Sequence, residues 1–468
     1  MMEQEFDDRP GAVQDSVRRF EQMLQRHEES FFDLDTYEQI VEHYLDEGKF
    51  DEAINACEKG LDQYPYSLEL MLHKAHCLAN LQHYDEALEL LDRASLFNPT
   101  DTDIRYLRGT VYSLMGDYEQ AIRMMEEVLD TTDEKDDVYY HIGLAYQSWG
   151  KYPEAIASYK KSVQHNISNE NALYELAFCL DVTGELEASL DYYQQFIDND
   201  PFSHSAWYNI GIAYSKLERF EDAAQAYEYA TFIKADFASA HFNLGNTHMN
   251  LGRYEYARDC YELVLKYEDP TPETLCCMGA SYERLEQYDK AIRYYKQSIK
   301  LDSLWDEGWY GVGVCLSEQD KWFEALHFLR NALKLDEKNA EYWLAVGETE
   351  RKIGNTVSSV EAYQQSANLD PANPELWLKW SLLYFEQGDM EKAFNVVQSG
   401  IDELPEEAIL YYQGVIYLIN DGQYREAFLY LETGLILDYD KHVLLFDYFT
   451  NLETQKALNR IIEQYRKK

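Results

Sequence analysis

Seven glycines lie on a 34-residue ruler. Gly109, Gly143, Gly211, Gly245, Gly279, Gly313 and Gly347 are separated by 34 or 68 residues. A period of that length points to a chain of like units, each covering its apolar face with the next, rather than to one globular core. Extending the ruler reaches Val41, Ala75, Ala177 and Ser381, all small or modest residues. Twelve residues after each mark stands a second small residue, from Ala53 and Ala87 through Ser189 and Ser359 to Ala393. Eleven units run from Leu34 to Glu407 without insertion or deletion. A twelfth, carrying Gly414 and Ala427, reads with one extra residue in the Asn420-Asp421-Gly422 turn.

Each unit has the periodicity of two amphipathic helices. In the unit beginning at His204, helix A is expected over Ser205 to Lys216 and helix B over Glu221 to Ile233. A glycine inside a helix costs about 1 kcal/mol relative to alanine. Its recurrence at one place therefore implies close approach of the two helices, with the small residue of helix B as the expected other half of the contact. The prolines obey the same register. Pro65, Pro99, Pro201, Pro371 and Pro405 fall at the end of helix B, Pro272 and Pro374 open helix A, and Pro153 opens helix B. Pro270 falls in a turn between units and Pro10 outside the helices. None interrupts a helical hydrogen-bond ladder.

Trp207-Tyr208-Asn209-Ile210-Gly211, followed by Tyr214, Ala223, Tyr227 and Ala230, resembles the tetratricopeptide-repeat consensus. Trp309, Trp343 and Trp377 fill the same first aromatic slot. The resemblance covers residues 34 to about 440 and implies an all-α fold, a right-handed superhelical solenoid of helix-turn-helix repeats. The expected organisation is a flexible N-terminus at 1–11, a capping helix at 12–33, the tandem repeats at 34–441, and a degenerate capping repeat at 442–468. The capping helix would bury Val13, Val17, Phe20, Met23 and Leu24, and the final segment Leu444, Leu445, Phe446 and Phe449. In character the chain resembles long cytoplasmic bacterial proteins of this family.

The charge narrows the partners. Forty-one Lys and Arg against 86 Asp and Glu give a net charge of −45, which repels nucleic-acid phosphates and anionic lipid. No apolar run approaches the length of a membrane span, and the acidic first eleven residues do not read as a secretory signal. The seven cysteines form no CxxC pair. Cys77, Cys179 and Cys315 recur at the tenth position of their units, as reduced core thiols of a reducing, cytoplasmic compartment would.

The chain lacks HExxH, Walker, nucleophile-elbow and EF-hand patterns, and the repeats leave no room for a separate catalytic domain. A non-enzymatic function without cofactor or metal is the expectation. Gly311-Val312-Gly313 lies within a helix A with no strand before it, so it is no dinucleotide loop. His73, His76 and Cys77 share a helical turn, and a metal there would need partners from neighbouring helices, for instance His43 or His141. The resemblance implies that positions five, six and nine of each helix A face a groove. Position five supplies Tyr106, Tyr140, Tyr174, Tyr208 and Phe242, rigid aromatic area suited to a peptide. Asn209, Asn243 and Asn246 add amides able to bond a peptide backbone. Acids at position two, among them Asp137, Glu273 and Glu341, favour a helix N-terminus and a basic segment alike. The expected function is a protein-interaction scaffold that binds a protein or peptide segment, basic or apolar, in this groove. The alternative is a regulatory subunit whose solenoid responds to a small ligand or metal.

Overall fold

A computed structural model describes residues 10–26, 30–99, 101–449 and 452–466. Every regular element among them is a helix, and they alternate as helix A and helix B of twelve repeats. We number the positions of a repeat from its first residue, Leu34 in repeat one and Leu68 in repeat two. The chain divides into two compact units, residues 1–235 and 236–468. Within each unit a helix A packs on its own helix B and on helices of adjoining repeats. The buried apolar residues accordingly form several successive clusters within each unit rather than one centre.

Local signals start and stop the helices. Asp33, Ser67, Asp101, Asn169, Ser203, Thr271, Asn339 and Asn373 each precede a helix A and accept a hydrogen bond from a backbone N–H of its first turn. At the other end, position fifteen is left-handed in all twelve repeats. Glycine fills it eight times, from Gly48 to Gly422, while Gln82, Glu218, Glu286 and Asp320 hold the same conformation at φ of 57–65°. This second glycine ladder terminates helix A and turns the chain into helix B. It also corrects the expected insertion in repeat twelve. The helices there, Ala408–Asn420 and Tyr424–Leu437, begin 34 residues after those of repeat eleven, Pro374–Glu386 and Met390–Glu403. Gly422 occupies the ordinary turn position, Gly414 stands at position seven, and Val415 fills position eight fully buried.

The ruler glycines answer to a different partner from the one expected. A Cβ at Gly211 would lie 2.7 Å from the Tyr227 ring, one at Gly245 2.6 Å from Tyr261, and one at Gly279 2.8 Å from Tyr295. At five of the seven the ring at position 24 is therefore what the glycine admits, while Gly313 meets Leu329 and Gly109 meets Met125 and the Ala121 carbonyl. The small residue at position 20 completes the crossing, as when Ser359 Oγ donates to the Gly347 carbonyl at 2.8 Å.

At the start, a helix spans Pro10–Arg26, so Pro10 and Gly11 belong to it and not to a tail; a proline costs a first helical turn no hydrogen bond. Val17, Phe20 and Met23 are buried, whereas Leu24 is exposed. Residues 1–9 of the expected flexible segment lie outside the described residues, as do 27–29. After repeat twelve come a 3₁₀ turn at Asp440–Val443 and helices Leu444–Tyr448 and Leu452–Tyr465. Leu445 and Phe449 are buried and Phe446 packs beside them, but Leu444 is on the surface.

Candidate functional site

Most of the position-five rings are already engaged. In the first unit Tyr106 donates to Asp137 at 3.3 Å and meets the His141 ring edge-on at 5.0 Å. Burial first, then the Asp137 charge, pushes its phenol up. Tyr140 lies against the same histidine at 5.1 Å and against Tyr159 at 6.1 Å. Tyr208 leans on Tyr227 at 5.8 Å. In the second unit Phe242 leans on Tyr261 at 5.9 Å, and Asn246 Oδ1 accepts the Tyr261 hydroxyl at 2.6 Å. Asn243, one residue after Phe242, is half-buried. The position-two acids also have internal work, since Tyr310 donates to Glu341 at 2.9 Å just as Tyr106 does to Asp137. His73, His76 and Cys77 gather no further ligand: no group of three or more metal-ligating residues occurs among the described residues.

Repeat five differs. Six repeats carry tyrosine at position 24, and five of these face a glycine; Tyr193 alone faces an alanine, Ala177. Ala177 therefore carries a Cβ at the position where the five other repeats have none. Helix B of this repeat enters through a 3₁₀ turn, Leu186–Ala188, before the α-helix Ser189–Asn199. Tyr174 makes none of the position-five to position-24 ring contacts of Tyr140, Tyr208 and Phe242, and is 50% exposed.

The hydroxyls tell the same story. Tyr159 donates to Gln147 at 2.6 Å, Tyr295 to Glu283 at 2.8 Å and Tyr363 to Glu348 at 3.2 Å, while Tyr227 bonds Ser215 at 3.3 Å. Asp181 holds the place of Gln147 in repeat five but forms an ion pair with Lys216 instead. No described residue hydrogen-bonds the Tyr193 hydroxyl. Burial, then the nearby Tyr174, raises its phenol, which stays protonated at neutral pH.

A cavity of about 200 Å³ lies on the helix A side of repeats five and six. Tyr174, Phe178, Tyr193, Leu186, Asn209 and Ile212 line it together with the Asp181–Lys216 pair. Phe178 is 42% exposed. Of the residues expected from sequence, the structure brings Tyr174 and Asn209 together here; Tyr106 and Tyr140 meet elsewhere around His141. Phe178 was reachable by the rule that position nine faces the groove. Tyr193 and the ion pair were signalled by alanine opposite tyrosine and by Asp181 in the slot that Gln147, Ser215 and Glu283 fill in other repeats.

Models described as tetratricopeptide repeat match residues 44–111, 109–139, 137–169, 180–236, 238–269 and 272–303. A tetratricopeptide-repeat-containing protein of Methanocaldococcus jannaschii is 31% identical over 87 residues; the match spans 18% of this chain and only 15% of that protein. Among solved structures, the Cut9–Hcn1 hetero-tetramer of the APC/C aligns over 87% of this chain and 93% of its own, with 16% identity and a TM-score of 0.43. YrrB, described as a repeat protein with an unusual peptide-binding site, covers 39% and 93% at 20% identity, TM-score 0.33. MamA covers 37% and 94% at 23% identity, TM-score 0.34.

Proposed function

Because the chain belongs to the tetratricopeptide-repeat family, we propose that it is a non-catalytic scaffold holding a peptide segment of a partner protein on its helix A face, centred on repeats five and six. The observation that carries this reading is the exposure of Tyr174 and Phe178 over an apolar cavity, where every other position-five ring described above rests on a neighbour. Exposed aromatic rings beside a pocket are the residues on which interface energy concentrates. Asn209 offers an amide to the segment's backbone. The net charge of −45 steers a segment with basic flanks and disfavours nucleic acid. Tyr106, Tyr140, Tyr208, Phe242, Asn243 and Asn246 then serve chiefly to hold the face in shape. No helix among the described residues is long and apolar enough to cross a membrane.

A photo-crosslinking amino acid placed at position 174, and separately at the exposed position 202, tests the face. Capture of the partner segment from 174 and not from 202 is expected. Capture from 202 alone would move the binding surface to the end of helix B.

A further inference from the structure

We propose that the repeat-five cavity seats a tyrosine side chain of the bound segment, its ring against Tyr174 and Phe178 and its hydroxyl on Tyr193 and Asn209. This deepens the reading above and rests on it. Three observations select the occupant. First, the walls contributed by Ala177, Phe178, Leu186, Ile212 and Ala213 are apolar, so a charged tip would lose its hydration without recompense. The charged pair within reach, Asp181 and Lys216, is already mutually neutralised. Second, Tyr193 is 2% exposed and its hydroxyl has no partner among the described residues. That hydroxyl is not wholly sealed from solvent, and Tyr193 lines the cavity. Leucine, valine or phenylalanine would cover it and leave it unsatisfied, which is more costly than leaving the cavity to water. Third, one water needs about 10–15 Å³ of such space. A cavity of about 200 Å³ therefore has room for a phenol. Tyr193 and Asn209 can each donate or accept, which suits a hydroxyl that does both.

The test uses the full-length chain on an array of random dodecapeptides. Peptides that bind the parent but not the Tyr174→Ala/Phe178→Ala variant define the site, and each is remade with every residue replaced in turn. The expected outcome is one required tyrosine per peptide. Changing it to phenylalanine should weaken binding about three- to tenfold, the effect of one hydrogen bond. In the Tyr193→Phe chain, whose melting temperature reports its integrity, that preference should disappear. Site-dependent peptides that require leucine or a charged residue, or a tyrosine preference that survives Tyr193→Phe, would overturn the assignment while leaving the scaffold reading intact. An array with no peptide that depends on Tyr174 and Phe178 would overturn both.

Discussion

Repeats four and five share a compact unit and nearly the same helix lengths, yet one is closed and the other open. In repeat four Gly143 admits the Tyr159 ring, Gln147 takes its hydroxyl, and Tyr140 lies on top. Gln147 also accepts Cys179 Sγ at 3.3 Å and donates to Glu175 at 2.8 Å, tying the repeat to the next. In repeat five a single methyl at Ala177 replaces that hydrogen, Asp181 turns to Lys216, and the tyrosine ring beneath borders a cavity. A solenoid adds units whose interfaces are nearly independent, so one repeat can open without unfolding its neighbours. The proposed binding site lies where a repeat departs from its own rule.

Exchanging the two small residues should have the largest effect. Gly143→Ala should drive a Cβ into Tyr159 and destabilise the protein by about 1–3 kcal/mol, despite alanine's better helix propensity. Ala177→Gly has no such clash and should cost at most about 1 kcal/mol. Denaturant melts of both variants decide it, and equal losses would dissolve the distinction. Next come the hydroxyls. Tyr159→Phe leaves Gln147 short of its buried donor and should cost about 1 kcal/mol, while Tyr193→Phe should cost less than half as much because no internal bond is lost. The left-handed turn gives a third, opposite effect. Glu218→Gly relieves an L-residue at φ 58° and should stabilise by about 1 kcal/mol, whereas removing Gly150 by Gly150→Ala should destabilise by a similar amount. Thermal melts showing both changes neutral would mean the ladder is not under strain.

A smaller effect concerns the slot occupied by Gln147 in repeat four and by Glu283 in repeat eight. Burial raises the Glu283 carboxyl above its usual 4.5, against the hydrogen bonds from Tyr295 and Cys315 and the charge of Arg284. An acid whose folded pKa is raised favours folding when protonated, fully so below the unfolded pKa, and loses that contribution as pH rises through the folded value. Glu283→Gln should therefore stabilise the protein near pH 7 and gain nothing below about pH 4.5. A stabilisation that does not vary with pH would assign the benefit to packing. Smallest of all, partner association should slow as salt rises from 0.05 to about 0.5 M through screening of the acidic field, with little change in dissociation.

The sequence made the fold legible because glycine, small residue and proline recur at fixed intervals, each tied to a backbone or packing demand. The position-15 ladder was equally visible yet easily missed, since Gln82, Glu218, Glu286 and Asp320 interrupt it. The shift of Gly414 to position seven mimicked an insertion, because Val415 stands at the ruler position where glycine is usual, so the nearest glycine was read one residue out of register. The site was only half legible. Residue type singled out Tyr174 and Asn209, which line one cavity, but it gave Tyr106, Tyr140, Tyr208 and Phe242 the same standing. What separates them is contact: Tyr140, Tyr208 and Phe242 lie on the ring at position 24 and Tyr106 on His141, whereas Tyr174 is half exposed, and such contacts depend on residues on different helices.

The most direct measurement compares Tyr174→Ala/Phe178→Ala with Tyr140→Ala, reading segment affinity and melting temperature on each variant. The first should lose at least about thirtyfold in affinity, the equivalent of an anchor of about 2 kcal/mol, with a nearly unchanged melting temperature. The second should bind normally and melt several degrees lower. Unimpaired binding by a folded Tyr174→Ala/Phe178→Ala chain, or loss of binding by Tyr140→Ala alone, would contradict the proposed site.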